Sequence, residues 1–189
     1  GATTTVKFNS HKIGASTFID AITKTVQRVT LNGKDLDVSV ADGVRIQLDN
    51  LEASNELVVV SDNPYMHTGE GLHRFVDPVD NEVYLYTQFE VPDSRRMFAV
   101  FEQPDLKATF QFTITAPEGW KVVSNQATPV ATPIGDGKAT WAFEPTPVIS
   151  SYITALVAGP YSEVRSELTS SDGRIIPLGV FARASMTEF

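Results

Sequence analysis

Cysteine is missing from this chain, so disulfide staples and thiolate chemistry are excluded, and a reducing compartment suits it. No apolar run approaches the roughly 18 residues needed to cross a bilayer. Gly1 to Lys7 carries neither the basic nor the apolar region of a secretion signal. Positive charge is scarce as well: 15 Lys and Arg stand against 23 Asp and Glu, a net charge of -8. Such a surface repels phosphate backbones and reads as acidic and solvated, so neither nucleic acid nor membrane is an expected partner. Sustained helical periodicity is absent, and only Arg183 to Phe189 reads as helix. His-Glu-x-x-His does not occur, because His11 precedes Lys12, His67 precedes Thr68 and His73 precedes Arg74. A nucleophile elbow, a phosphate loop and a heptad seam are lacking too. Nothing here assembles a catalytic centre.

What remains is β-structure. The chain has 189 residues, 42% of them hydrophobic, enough for one sizeable core or two small ones packed together. Gly1 to Phe8 is β-like from its first residues, an abrupt start that suggests a fragment. Phe18 to Ile22 and Thr25 to Leu31 read as strands, and Asn32-Gly33 is a hairpin turn because both central positions need positive φ. Asp42-Gly43 repeats the device ahead of Val44, Ile46 and Leu48, which alternate with polar residues. Leu57 to Val60 is a continuous apolar run, consistent with a strand buried on both faces. Trp120 to Val123 and Ala139 to Phe143 flank a loop with Asp136-Gly137 at its tip, a further hairpin. Ile149 to Ala158 is another strand, and the last hairpin turns at Ser171-Asp172-Gly173. Many short strands with closely spaced turns predict an all-β, sandwich-like domain.

The segment from Met66 to Asn81 reads as a long ordered loop. His67 and His73 lack a third ligand at an accepted spacing and read as structural or surface histidines; Asp77, Asp80 and Glu82 lack the turn glycine and terminal glutamate of a calcium loop and read as a solvated loop. The strand that follows organises the rest. Val83, Leu85, Thr87 and Phe89 alternate with Tyr84, Tyr86, Gln88 and Glu90, which places Gln88 and Glu90 on one face with the two tyrosines. On periodicity alone these are the wet face of a strand. Val91-Pro92-Asp93 stops it, and a short helical turn carries Arg95 and Arg96, suited to ion pairs with Asp93 or Glu102.

Thr87-Gln88-Phe89-Glu90, then Arg95-Arg96-Met97-Phe98, then Phe101-Glu102-Gln103-Pro104-Asp105-Leu106-Lys107-Ala108 occur in order at fixed spacing. This series resembles the N-terminal domain of the zinc aminopeptidases that include aminopeptidase N, the endoplasmic-reticulum aminopeptidases and leukotriene-A hydrolase. Tyr65 to Asp80 resembles in particular the branch found in high-GC Gram-positive bacteria. The resemblance implies a saddle-like β-sandwich domain of two fused sandwiches over residues 1 to 189, part of a longer chain whose catalytic domain follows. It implies zinc in the full-length enzyme, held by a His-Glu-x-x-His and a further Glu beyond this chain, with none held here. It implies peptide substrates, with Glu90 binding their α-ammonium and Gln88 lining the pocket for the first side chain. Some relatives carry Gln at the position of Glu90. A cytoplasmic monomer docked on its own catalytic domain is the implied setting, and an apolar patch is expected where that domain would sit. The rival reading is a stand-alone β-sandwich module for peptide or carbohydrate, with Tyr84 and Tyr86 as its platform.

Overall fold

A threonine-rich run whose residues alternate between half-buried and exposed forms the first of a series of antiparallel strands in the computed structural model, which describes residues 1–187. In chain order these are β1 (Ala2–Asn9), β2 (Thr17–Asp20), β3 (Thr25–Leu31), β4 (Lys34–Leu36), β5 (Arg45–Leu48), β6 (Ser54–Asp62), β7 (Gly71–Val76) and β8 (Val83–Gln88). They continue with β9 (Thr113–Pro117), β10 (Lys121–Ser124), β11 (Thr132–Gly135), β12 (Lys138–Ala142), β13 (Leu156–Gly159), β14 (Ser162–Thr169) and β15 (Ile175–Ala182). Helix is confined to four short 3-10 turns among the described residues. The fold is all-β, as the turn spacing predicts. No helix among the described residues is long and apolar enough to cross a membrane.

The chain divides into two compact units. The first comprises Gly1–His73, Thr87–Phe110 and Pro145–Ala155. Its sheet runs β1-β6-β3-β4, and β2 pairs with β5 so that Ile19 lies opposite Ile46. Ile19, Ile46 and Leu48 from the pair share one buried cluster with Val29, Leu31, Leu57 and Val59 from the sheet. Two layers thus close over one core, and burying such side chains stabilises it by roughly 1.5–3 kcal/mol each. Within β6, Asn55, Leu57, Val59 and Ser61 are buried while Val58 and Val60 are half-exposed. The run from Leu57 to Val60 is therefore buried on one face, and the valines opposite are only partly covered. In β3 the register shifts between Val26 and Arg28. The residue inserted there, Gln27, donates its side-chain amide to Asp62 at 2.8 Å.

The Asn32-Gly33 hairpin is present, with φ of 52° and 77° at its two central residues. Asn32 does more than turn the chain: its Oδ1 accepts the Glu56 N–H at 2.8 Å and its Nδ2 donates to Asn55 at 3.0 Å. Asp42-Gly43 makes a tight turn, with Asp42 Oδ1 accepting from the N–H groups of Val44 and Arg45 at 2.8 and 2.7 Å. It does not join two adjacent strands, because β5 takes β2 as its partner and meets the preceding segment only at the Ala41–Ile46 bridge.

The second unit comprises Arg74–Tyr86, Gln111–Glu144 and Leu156–Phe189. It contains β10, β13 and the parts of β8 and β7 from Arg74 to Tyr86, in the order β10-β13-β8-β7, together with the order β11-β12-β9 and the two-stranded ribbon β14–β15. Asp136-Gly137 turns β11 into β12, with φ of 50° and 66°. Contrary to the expected hairpin, β10 is not the partner of β12; it pairs with β13 in the other sheet. The segment from Ile149 is strand only from Leu156, since Ser151–Ile153 is a 3-10 turn. At the far end the expected helix is a single 3-10 turn over Ala184–Met186, and residues 188 and 189 lie outside the described residues.

Candidate functional site

Gln88 ends β8, and Phe89 is why the chain leaves the ladder there. Its side chain is buried and meets the Phe98 ring edge-on, with centroids 6.0 Å apart. Glu90 to Asp93 then form a turn that includes a cis Val91–Pro92 bond, and the Asp93 N–H donates to the Phe89 carbonyl at 3.2 Å. Ser94–Arg96 follow as the expected short helical turn. Both candidate residues are exposed. Glu90 stands two residues past the end of the strand, on the turn and not on the strand face. The side-chain oxygen of Gln88 accepts the Glu90 backbone N–H at 2.6 Å, which leaves the amide NH2 and one lone pair of that oxygen for other partners. Among the described residues the Glu90 carboxylate makes no ion pair.

The base of this turn is a second carboxylate. Glu102 is only 9% exposed. It accepts the Ser94 hydroxyl at 2.6 and 2.7 Å, the Arg95 N–H at 2.7 Å and the Ser151 hydroxyl at 2.9 Å. The segment that carries it is tied to the core: Val100 and Asp20 exchange backbone hydrogen bonds at 2.9 and 3.0 Å, and the Phe101 ring meets Phe8 at 5.0 Å. The expected ion pair between Arg96 and Asp93 is present at 2.6 Å, with Glu70 on the same guanidinium at 3.5 Å. Arg95 pairs instead with Asp20, at 3.4 Å. Gly71 is needed beside Arg96, because its φ is +61° and an added Cβ would lie 3.0 Å from Arg96 Cβ and Cδ. Sequence reasoning missed Glu102 as an organising group; its partners lie 8 and 49 residues away, so no local period announces it.

The two tyrosines do not share an environment. Tyr84 is 1% exposed, its ring meets Tyr161 at 4.9 Å, and its hydroxyl donates to Asp80 at 2.7 Å and accepts the Ala184 N–H at 3.1 Å. Burial, then the Asp80 hydrogen bond, pushes its phenol up from the ordinary value. Tyr86 is 39% exposed. A covered Tyr84 cannot serve as a ligand platform, which removes the feature on which the stand-alone module rested. Asp77 is likewise not a solvated loop residue. It is 1% exposed and accepts from the Ser185 hydroxyl at 2.6 Å, the Val79 N–H at 2.9 Å and the Arg183 guanidinium at 2.9 Å. The Ser185 bond above all, then the Val79 amide and Arg183, holds its carboxyl below the usual carboxylate range against the opposing effect of burial.

His73 accepts the Gly69 N–H at 3.0 Å, and its ring lies 6.4 Å from that of His67. No three His, Cys, Asp or Glu side chains gather as a metal site among the described residues. The donor set among the described residues does not fit zinc, and none of them is assigned to it. On the β14–β15 ribbon, Val164 lies opposite Val180 and Leu168 opposite Ile176, all of them exposed.

Residues 66–153 match the peptidase M1 N-terminal domain, the stretch that holds the β8 turn and the Glu102 cluster. Aminopeptidase N of Streptomyces lividans is 56% identical over 187 residues, 98% of this chain and 21% of that protein. Aminopeptidase N of Acetobacter pasteurianus is 35% identical over 142 residues, 72% of this chain and 38% of that protein. The fold is also that of Legionella pneumophila aminopeptidase A, solved in complex with aspartic acid, with a TM-score of 0.83 at 18% identity over 98% of this chain and 22% of that one. The chain belongs to the aminopeptidase N family, as its N-terminal domain. It spans about a fifth of the length of the Streptomyces relative.

Proposed function

We propose that this chain is the N-terminal β domain of a zinc-dependent aminopeptidase that removes residues from the N-termini of peptides. In this reading Glu90 anchors the substrate α-ammonium, and Gln88 lines the pocket for the first side chain. Its setting is a cytoplasmic monomer, with the catalytic domain and the zinc ligands elsewhere on the longer polypeptide. One observation carries the reading: Glu90 presents an exposed carboxylate on a turn whose backbone is pinned by Gln88 at 2.6 Å. Phe89, buried beside it, fixes the same turn from below.

The physics of the anchor is simple. An α-ammonium with a pKa of about 8 is largely protonated at neutral pH. A carboxylate about 4 Å away attracts it by roughly 4 kcal/mol at an effective dielectric of 20, before desolvation is subtracted. An internal peptide bond carries no such charge, so the anchor selects chain ends. Glu90→Gln keeps the shape and removes the charge. In the full-length enzyme kcat/KM for a free-amine substrate should fall by about tenfold to a thousandfold. Metal content and Tm should stay at parent values, because Glu90 is outside the core and is not assigned to zinc. Unchanged kinetics would return Glu90 to the role of an ordinary surface residue.

A further inference from the structure

Glu102 has no part in the reading above, yet it is the most heavily hydrogen-bonded side chain near the Glu90 turn. Its two oxygens collect donors from two separate turns: Ser94 and Arg95 on one side, Ser151 on the other. Ser94 and Ser151 are themselves buried. A carboxylate only accepts hydrogen bonds, and every partner here donates, so the cluster is satisfied in one arrangement. Buried polar groups satisfied in this way hold their backbone rigidly, because breaking any one bond leaves a buried group unpaired.

The geometry points to Glu102 as the positioning residue for Glu90, an inference that rests on the reading of Glu90 as the amine anchor. The turn is clamped at both ends. At its start Phe89 is buried against Phe98 and Gln88 holds the Glu90 N–H. At its end Ser94 and Arg95 are held by Glu102. Between the clamps lie only residues 90 to 93, and Asp93 is tied in turn to Arg96 at 2.6 Å. Glu102 itself is held in place, since Val100 is bonded to Asp20 and the Phe101 ring meets Phe8 edge-on. Releasing the second clamp frees the turn to sample other conformations. By the same Coulomb relation, an extra ångström between carboxylate and ammonium weakens the amine contact by about fourfold, and loss of a fixed orientation adds to that.

The test uses the full-length aminopeptidase and a matched pair of zinc-directed inhibitors, an α-amino acid hydroxamate and its des-amino counterpart. The ratio of their inhibition constants reports the amine contribution alone, because metal affinity and general damage affect both compounds. Glu90→Gln should collapse that ratio. Glu102→Gln, which replaces one acceptor by a donor, should lower it by roughly tenfold, and Ser94→Ala by roughly threefold. Neither should lower it further in the Glu90→Gln background. If Glu90→Gln lowers the ratio while Ser94→Ala and Glu102→Gln leave it at the parent value, or weaken both inhibitors alike, Glu102 has no positioning role. Should Glu102→Gln not fold, Ser94→Ala decides, since it removes a single hydroxyl. A ratio unmoved by Glu90→Gln would instead remove the anchor and this role together.

Discussion

The side-chain oxygen of Gln88 lies 2.6 Å from the backbone nitrogen of Glu90 and accepts its hydrogen. A residue expected to line a pocket is therefore also a brace for the neighbouring turn. The two roles make different demands on substrate.

In the full-length enzyme, Gln88→Ala removes the brace whatever residue stands at the peptide N-terminus. We expect kcat/KM to fall by about threefold or more for N-terminal alanine and leucine substrates alike, with any difference between the two reporting the pocket. A loss confined to one side-chain class would assign Gln88 to the pocket alone.

Asp77 gives the second unit a stability that depends on pH. Its folded pKa is held below the unfolded value of about 3.9. The unfolded state therefore binds more protons in acid, and the contribution of Asp77 is complete above about pH 5 and is lost as pH falls through the folded value. Asp77→Asn should lower Tm at pH 7, with the difference from parent narrowing steadily toward pH 3. Calorimetry across that range checks it, and a difference that is the same at every pH would show that packing, not charge, sets the effect.

Leu57 and Val58 sit side by side on β6 but on opposite faces. Leu57 is 0% exposed in the core cluster, so Leu57→Ala should cost about 2–5 kcal/mol in urea unfolding. Val58 is half-exposed, and Val58→Ala should cost about 1 kcal/mol or less. Equal losses would mean that both faces of β6 are packed.

On the ribbon, Val164 is 67% and Val180 65% exposed, with Leu178 at 40%. Contiguous exposed apolar side chains favour association. Replacing these three by threonine keeps strand propensity for the valines and should change stability by no more than about 1 kcal/mol. Sedimentation of the isolated chain at high concentration should show less self-association than the parent. Unaltered sedimentation would place any association surface elsewhere.

Local chemistry made the turns readable and left the partners unreadable. Asn32-Gly33 and Asp136-Gly137 announce themselves because few residues accept positive φ. Nothing within Trp120 to Val123 says that its neighbour is β13, which lies more than thirty residues on, because register is decided by which distant strand covers the same core. The bulge at Gln27 hid in the same way: Val26, Val29 and Leu31 are spaced three then two, which matches no regular period until the inserted residue is seen. At the site, Gln88 and Glu90 were marked by the order of short motifs and not by periodicity. Strand alternation placed Glu90 on β8, and the burial of Phe89 put it on the turn. Glu102 was legible only as a charge near two arginines. Its real partners are hydroxyls and an amide, which sequence patterns do not pair.

Glu90 belongs to no ladder, while Phe89 beside it is locked into the core. Acid, amide or neutral side chains at position 90 would leave every strand pairing untouched, so under the proposed function this residue is free to vary with substrate chemistry. Position 89 has no such latitude. If Glu90 is the proposed anchor, adjacent residues in one chain answer to different pressures, one to the ligand and one to the fold.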